Sequence, residues 1–221
     1  MEQVVQIKIK DYSESLRLSY CLTLSGGFFD AYTYICRDGV FANAETGNMV
    51  LLGVHLAQRD FTKAFIYLIP IVCFALGVFI TEGLKRKVKN ANKWKQVSLI
   101  IESLVLIAVS LFNTKLNIAA DALISFICGI QVNSFRRWHS NPFATTMCTG
   151  NLRSAVENTA KAVFERDNES LKKCLTYYSI IFTFIIGAVT GTILTTLFGY
   201  HILFVSVLPL LVSFILLSVK E

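Results

Sequence analysis

The tripeptide Thr46-Gly47-Asn48 recurs as Thr149-Gly150-Asn151, 103 residues further along the chain. Each copy joins a hydroxyl and a carboxamide, either of which can cap a helix start by accepting a backbone N–H, to a glycine that tolerates positive φ or close approach of another backbone. A helix leaving such a segment begins with unpaired N–H groups and about half a positive charge. That chemistry suits an anionic or dipolar small solute and opposes a bare cation. The candidate solute-binding residues are therefore Thr46, Gly47, Asn48, Thr149, Gly150 and Asn151, joined by Gln131 and Asn133 at the end of an apolar run. Asp30 and Glu102 also fall within apolar runs, where an acid is costly and by default functional, so both are candidates for proton coupling. Plainer roles compete with each of these. The two tripeptides equally suit structural capping of short helices, and Asp30 could bond unwound backbone, as its neutral counterpart Asn133 suggests. Asp121 and Glu82 lie close enough to span ends to be solvated.

Chemistry of other kinds is not encoded in any recognisable pattern. His55, His139 and His201 lack carboxylate or cysteine neighbours at ligand spacing, and the six cysteines form no CxxC pair. There is no HExxH, and no nucleophile with a base at a familiar spacing. Neither an enzyme, a cofactor nor a metal site is expected.

The elements that must position the tripeptides are membrane helices. Hydrophobic residues make up 54% of the 221, charged ones only 16%, and mean hydropathy is +0.56. Between Lys173 and Lys220, 46 residues pass without a Lys, Arg, Asp or Glu, a run that no soluble core of this size could bury. The partner is thus a lipid bilayer, and a nucleic-acid groove is excluded despite the basic pI of about 9.0.

Six apolar stretches predict transmembrane helices near 16–35, 64–84, 97–113, 118–135, 174–197 and 202–219. The stretch near 46–57 is too short to cross alone and predicts half a crossing. The segment 85–95 carries six basic residues and no acid, which places it in the cytoplasm by the positive-inside rule. With both termini inside, 17 of the 21 basic residues are cytoplasmic, including those of 136–173 and of a short cytoplasmic N-terminus, 1–15, and only Arg37, Arg59, Lys63 and Lys115 remain outside. The expectation is a multi-pass protein of the plasma (inner) membrane. Arg136 and Arg137 then read as lipid-phosphate anchors.

The offset of 103 also aligns Gly26 with Gly129, and the apolar runs 64–84 and 97–113 with 167–187 and 200–216. The loop equivalent to basic 85–95 is uncharged, so equivalent loops lie on opposite faces and the repeat is inverted. The expected fold is therefore all-α: one membrane domain over 1–221, with six transmembrane helices in two inverted three-helix repeats, about 16–113 and 118–218. Each repeat contains a re-entrant or half-helix segment bearing TGN. After the second TGN, Arg153, Glu157, Lys161 and Glu165 follow one another at helical i, i+4 spacing. Gly187 and Gly191, at small-x-x-x-small spacing, allow close helix packing within the chain or in a homodimer.

The stretches GGFFDAYTYICRDGVFANAETGNMVLLGVHLA and GIQVNSFRRWHSNPFATTMCTGN resemble the YoaK family, also called DUF1275 or UPF0700 transmembrane proteins. The likeness spans roughly 16–218 and rests on Gly27, Asp30 and Ala31, on Gly129 and Gln131, and on both TGN copies. Where the family often has Asn-Ala after the glutamine, Val132-Asn133-Ser134 stands here, and the following helix is unusually charged. The resemblance implies a bacterial-type polytopic membrane protein and supplies no substrate. Two functions fit the sequence: a small-solute transporter or channel with its site between the TGN helix starts, and a scaffold or sensor acting through cytoplasmic 136–173.

Overall fold

The computed structural model describes residues 15–88, 90–138, 141–142, 145–146 and 148–218. Expectations that rest on 1–14 and on His139 lie outside these residues. The helices are α1 (Leu16–Cys36), α2 (Glu45–Ala57), α3 (Phe61–Lys85), α4 (Ala91–Ser110), α5 (Asn117–Ser134), α6 (Cys148–Phe164), α7 (Asn168–Phe198) and α8 (Val207–Ser218). A 3-10 stretch, Gly199–Ser206, joins the last two. Residues 137–138 and 141–142 form a two-residue antiparallel pair between α5 and α6.

Short polar side chains start several helices in the expected way. Ser15 Oγ accepts from the Leu18 amide, Asp60 from Lys63 and Asn90 from Asn92 and Lys93. The chain turns back after α7 at Gly199, whose φ of +69° a side chain would strain.

By length and hydropathy three helical stretches can cross a bilayer: Phe61–Lys85, Thr114–Ser134 and Asn168–Ser218. The last comprises α7, the 3-10 stretch and α8 in succession and holds two of the predicted spans. The predicted spans near 16–35 and 97–113 are helices too, but α1 is diluted by Ser, Thr, Gly and Asp30, and α4 by Lys93, Lys95 and Glu102. Phe79, Leu197 and Leu208 are among many large apolar side chains turned outward on α3, α7 and α8. Asp30, Glu102, Asp121 and Gln131 are buried instead. An apolar exterior around a partly polar interior is the distribution that lipid demands.

Packing is reciprocal between the halves. The most extensive helix contacts are α1 with α7 and α3 with α5, while α2 lies on α3 and α6 on α7. At the first crossing a Cβ on Gly27 would strike the Phe184 carbonyl, and one on Gly187 the Leu24 carbonyl. At the second, Gly129 meets the Phe74 carbonyl and Gly77 the Phe126 carbonyl in the same way. Gly187 lies against Leu24 and Gly191 against Phe28, so α1 and α7 run in the same sense. Phe126 lies against Gly77 and Asn133 against Val78 and Glu82, so α3 and α5 do too.

These crossings correct the register read from sequence. Gly27, not Gly26, stands where Gly129 stands, and Gly187 matches Gly77. The uniform offset fails partly because α6 has 17 residues where α2 has 13, and Gly187 also lies further into α7 than Gly77 does into α3.

Candidate functional site between the starts of two short helices

Gly26 in α1 is where the segments leading into α2 and α6 meet. Asn43, just ahead of α2, donates from Nδ2 to the Gly26 carbonyl at 3.2 Å. Its own backbone N–H donates to Asp30 Oδ1 at 2.7 Å. From the other half, Thr146 Cγ2 and the Thr145 carbonyl pack so closely on Gly26 that a Cβ there would lie 2.8 and 3.3 Å from them. A cavity of about 560 Å³ opens beside this junction, next to Phe184 and Ala188 near the middle of α7. Its polar lining includes Asp30, Asn43, Glu45, Thr46, Thr146 and Thr149, and Gly150 also faces it. The first turns of α2 and α6 thus border one space, with the α1 acid between them.

The capping expected of TGN is not what the structure has. Ala44 is the N-cap of α2, with no side-chain cap bond, and both tripeptides lie within the first helical turn. Asn48 turns back instead. Its Oδ1 accepts from the Phe41 amide at 3.0 Å, and its Nδ2 donates to the Phe41 carbonyl at 2.7 Å and to Glu45 Oε2 at 3.0 Å. It fastens the segment before the helix and does not line the cavity. Gly47 packs on the Phe41 ring beside a shallower pocket. Asn151 is buried away from the lining.

Gln131 and Asn133 are also outside the lining, and they part company. Gln131 Nε2 donates to Glu102 Oε1 at 2.8 Å, and its Oε1 accepts from Thr145 Oγ1 at 3.3 Å. A buried polar chain therefore runs from Glu102 on α4 to the residue next to Thr146 of the cavity. Asn133 serves the α3–α5 contact, donating to the Val78 carbonyl and to Glu82. Among the described residues, no group of three His, Cys, Asp or Glu could hold a metal ion.

Sequence reasoning missed Asn43 and Glu45 at the site, although both lie within three residues of Thr46. It also took Arg37 for an outer-loop charge. Arg37 is fully buried: its guanidinium donates to Tyr32 Oη, Asn117 Oδ1 and the carbonyls of Val109, Phe112 and Asn113. It lies 5.5 Å from the ring centres of Tyr32 and Tyr200. Asp121 is not solvated as expected but only 1% exposed, and neither carboxylate oxygen has a hydrogen-bond partner among the described residues. Glu82 does remain exposed.

An apolar exterior, buried acids and spanning helices define a helical membrane protein. Residues 18–216 match the family described as "Protein of unknown function (DUF1275)", and the chain belongs to that family, as its two TGN-bearing stretches suggested. It is similar to the UPF0700 transmembrane protein YoaK of Bacillus subtilis (strain 168), with 24% identity over 205 residues, covering 89% of this chain and 90% of that protein. No solved structure matches it.

Proposed function

We propose that this protein is a transporter or channel for a small polar solute, held between the starts of α2 and α6, and not an enzyme. It sits in the plasma (inner) membrane with both termini cytoplasmic. Six crossings carry it: α1, α3, α4, α5, α7 and the stretch from Gly199 to Ser218. The halves are inverted repeats, with α2 and α6 entering from opposite faces. The 13 residues of α2, too few to cross a bilayer as a helix, support this, because each half then has an odd number of crossings. The parallel runs of α1 with α7 and of α3 with α5 are consistent with it.

One observation carries the functional reading: two half-helices, one from each half, begin at the same cavity beside a buried carboxylate. That is where solute sites of inverted-repeat transporters are built. Asp30, on the lining, is the proton-coupling residue of this reading. Glu102 couples through Gln131 and Thr145.

Flux into proteoliposomes, screened with anionic, neutral and cationic metabolites, tests this. A Cβ on Gly150 meets nothing within 4 Å, so Gly150→Trp sets a large side chain at the cavity's edge, and its unfolding temperature in detergent, compared with the native chain's, checks that the fold is kept. The expected result is uptake of at least one solute by the native chain and its loss in G150W. Uptake of none would overturn the reading. Val163 and Phe164, 65% and 84% exposed at the end of α6, favour the alternative of a scaffold acting through 136–173. Crosslinking there to one constant partner, with no flux, would select it.

A further inference from the structure

We infer that the cavity between α2 and α6 recognises an organic ammonium group, which reverses the anion preference expected from helix starts alone. The inference rests on reading this cavity as the solute site. Its first support is which polar atoms remain unused. Asn43 is 2% exposed, and because its Nδ2 donates to Gly26, its leftover atom is the acceptor Oδ1, with no partner among the described residues. Glu45 Oε2 accepts from Asn48, and its leftover Oε1 is again an acceptor. Thr146, also on the lining and 4% exposed, leaves Oγ1 without a partner among the described residues, and that atom can accept as well as donate. All three atoms are covered by their neighbours, so a ligand reaches them only as these side chains turn towards the cavity, and it must then bring hydrogen-bond donors, of which an ammonium has up to three.

Charge points the same way. Asp30 and Glu45 both face the cavity, and its described lining contains no Lys, Arg or His. The positive start of α2, which would repel a cation, is answered within the protein by Asp30, which accepts the Asn43 amide, and by Glu45 in the first turn. Aromatic walls complete the case. Tyr34 and Phe41 stack with ring centres 5.1 Å apart, and Phe184 lines the opposite half. Ring faces attract a cation that carries carbon, and they fill against its alkyl part. Ammonium groups reach a membrane protein as free solutes or as lipid headgroups, and both offer the same donors.

The test titrates the purified full chain, in phosphatidylglycerol nanodiscs, with 2-hydroxyethylammonium, glycolamide and glycolate. These share a two-carbon hydroxylated skeleton and differ in charge. Saturable binding of the ammonium probe alone is expected, weakened about tenfold or more by Asp30→Asn and by Glu45→Gln. Glu45→Gln keeps an oxygen for Asn48 and removes the charge, so it decides the matter if Asp30→Asn does not fold. Equal binding of all three probes, or ammonium binding that Glu45→Gln leaves unchanged, would overturn the inference. Competition when phosphatidylethanolamine is added assigns the group to a lipid headgroup, and its absence assigns it to a free solute. Ammonium binding without flux of any solute removes the transport reading alone. Flux of an anion that G150W blocks removes the ammonium assignment alone.

Discussion

Asn48 makes three hydrogen bonds that fasten Phe41 and Glu45 to the first turn of α2, so its role in TGN is to shape the approach to the cavity. Asn48→Ala leaves the buried Phe41 amide and carbonyl unpaired. Its expected cost is about 1–3 kcal/mol, read as a lowered unfolding temperature in detergent. Arg37 acts similarly at the far end of α1, where its planar fork serves the carbonyls of Val109, Phe112 and Asn113 around the end of α4. A lysine ammonium cannot reach five acceptors at once, so Arg37→Lys should also destabilise, by about 2 kcal/mol or more. Outside the spans, the Ser170 hydroxyl and the Glu169 amide donate to Asp167 at 2.6 and 2.9 Å and hold its carboxylate below the usual range. A carboxyl whose acidity rises on folding stabilises the native state above its unfolded value and loses that contribution as pH falls through the folded one. The stability gap between the native chain and Asp167→Ala should thus be full above about pH 4 and shrink below it. Thermal unfolding across that range measures it.

Among the helices, the two glycine crossings set how closely the halves approach. Gly27→Ala and Gly129→Ala drive a methyl into a facing carbonyl, so each should strongly lower the temperature at which the detergent-purified chain unfolds. Gly53→Ala, with nothing within 4 Å, should leave it unchanged. The existence of α1 to α5, α7 and α8 was legible in hydropathy, and that of α6 in the i, i+4 spacing of its charges, of which Arg153 and Glu157 form an ion pair at 2.7 Å. The crossings were not legible. Gly26 and Gly27 are adjacent, and only packing decides which of them meets α7 and which meets Thr146. The same limit hid the site. TGN marked both helix starts because it is repeated, whereas Asn43, Glu45 and Thr146 belong to no repeated word and gain meaning only when two distant segments converge on Gly26. Arg37 and Asp121 misled for a related reason. Charges near span ends are normally wet, whereas Arg37 is held by the turn after α4 and the start of α5, and Asp121 is buried within the bundle.

At the scale of the whole molecule, the proposed inversion makes a sharp statement about sidedness. Reporter tags fused at Asn90 and at Tyr200 should fall in opposite compartments, and a common compartment would overturn both the inverted arrangement and the solute path built on it. The reciprocal contacts also tie the halves together: α1 finds its main neighbour in α7, and α3 finds its own in α5. During synthesis, α1 therefore enters the bilayer with the backbone at Gly26 and Gly27 uncovered, and it waits for Thr146, Phe184 and Gly187 to be made. At ordinary ribosome speeds that delay is roughly ten to thirty seconds. A nascent chain in that condition invites an insertase to shelter its wet side. The amino-terminal fragment, expressed alone, should be a ready target for membrane proteases until the carboxy-terminal one is supplied in trans.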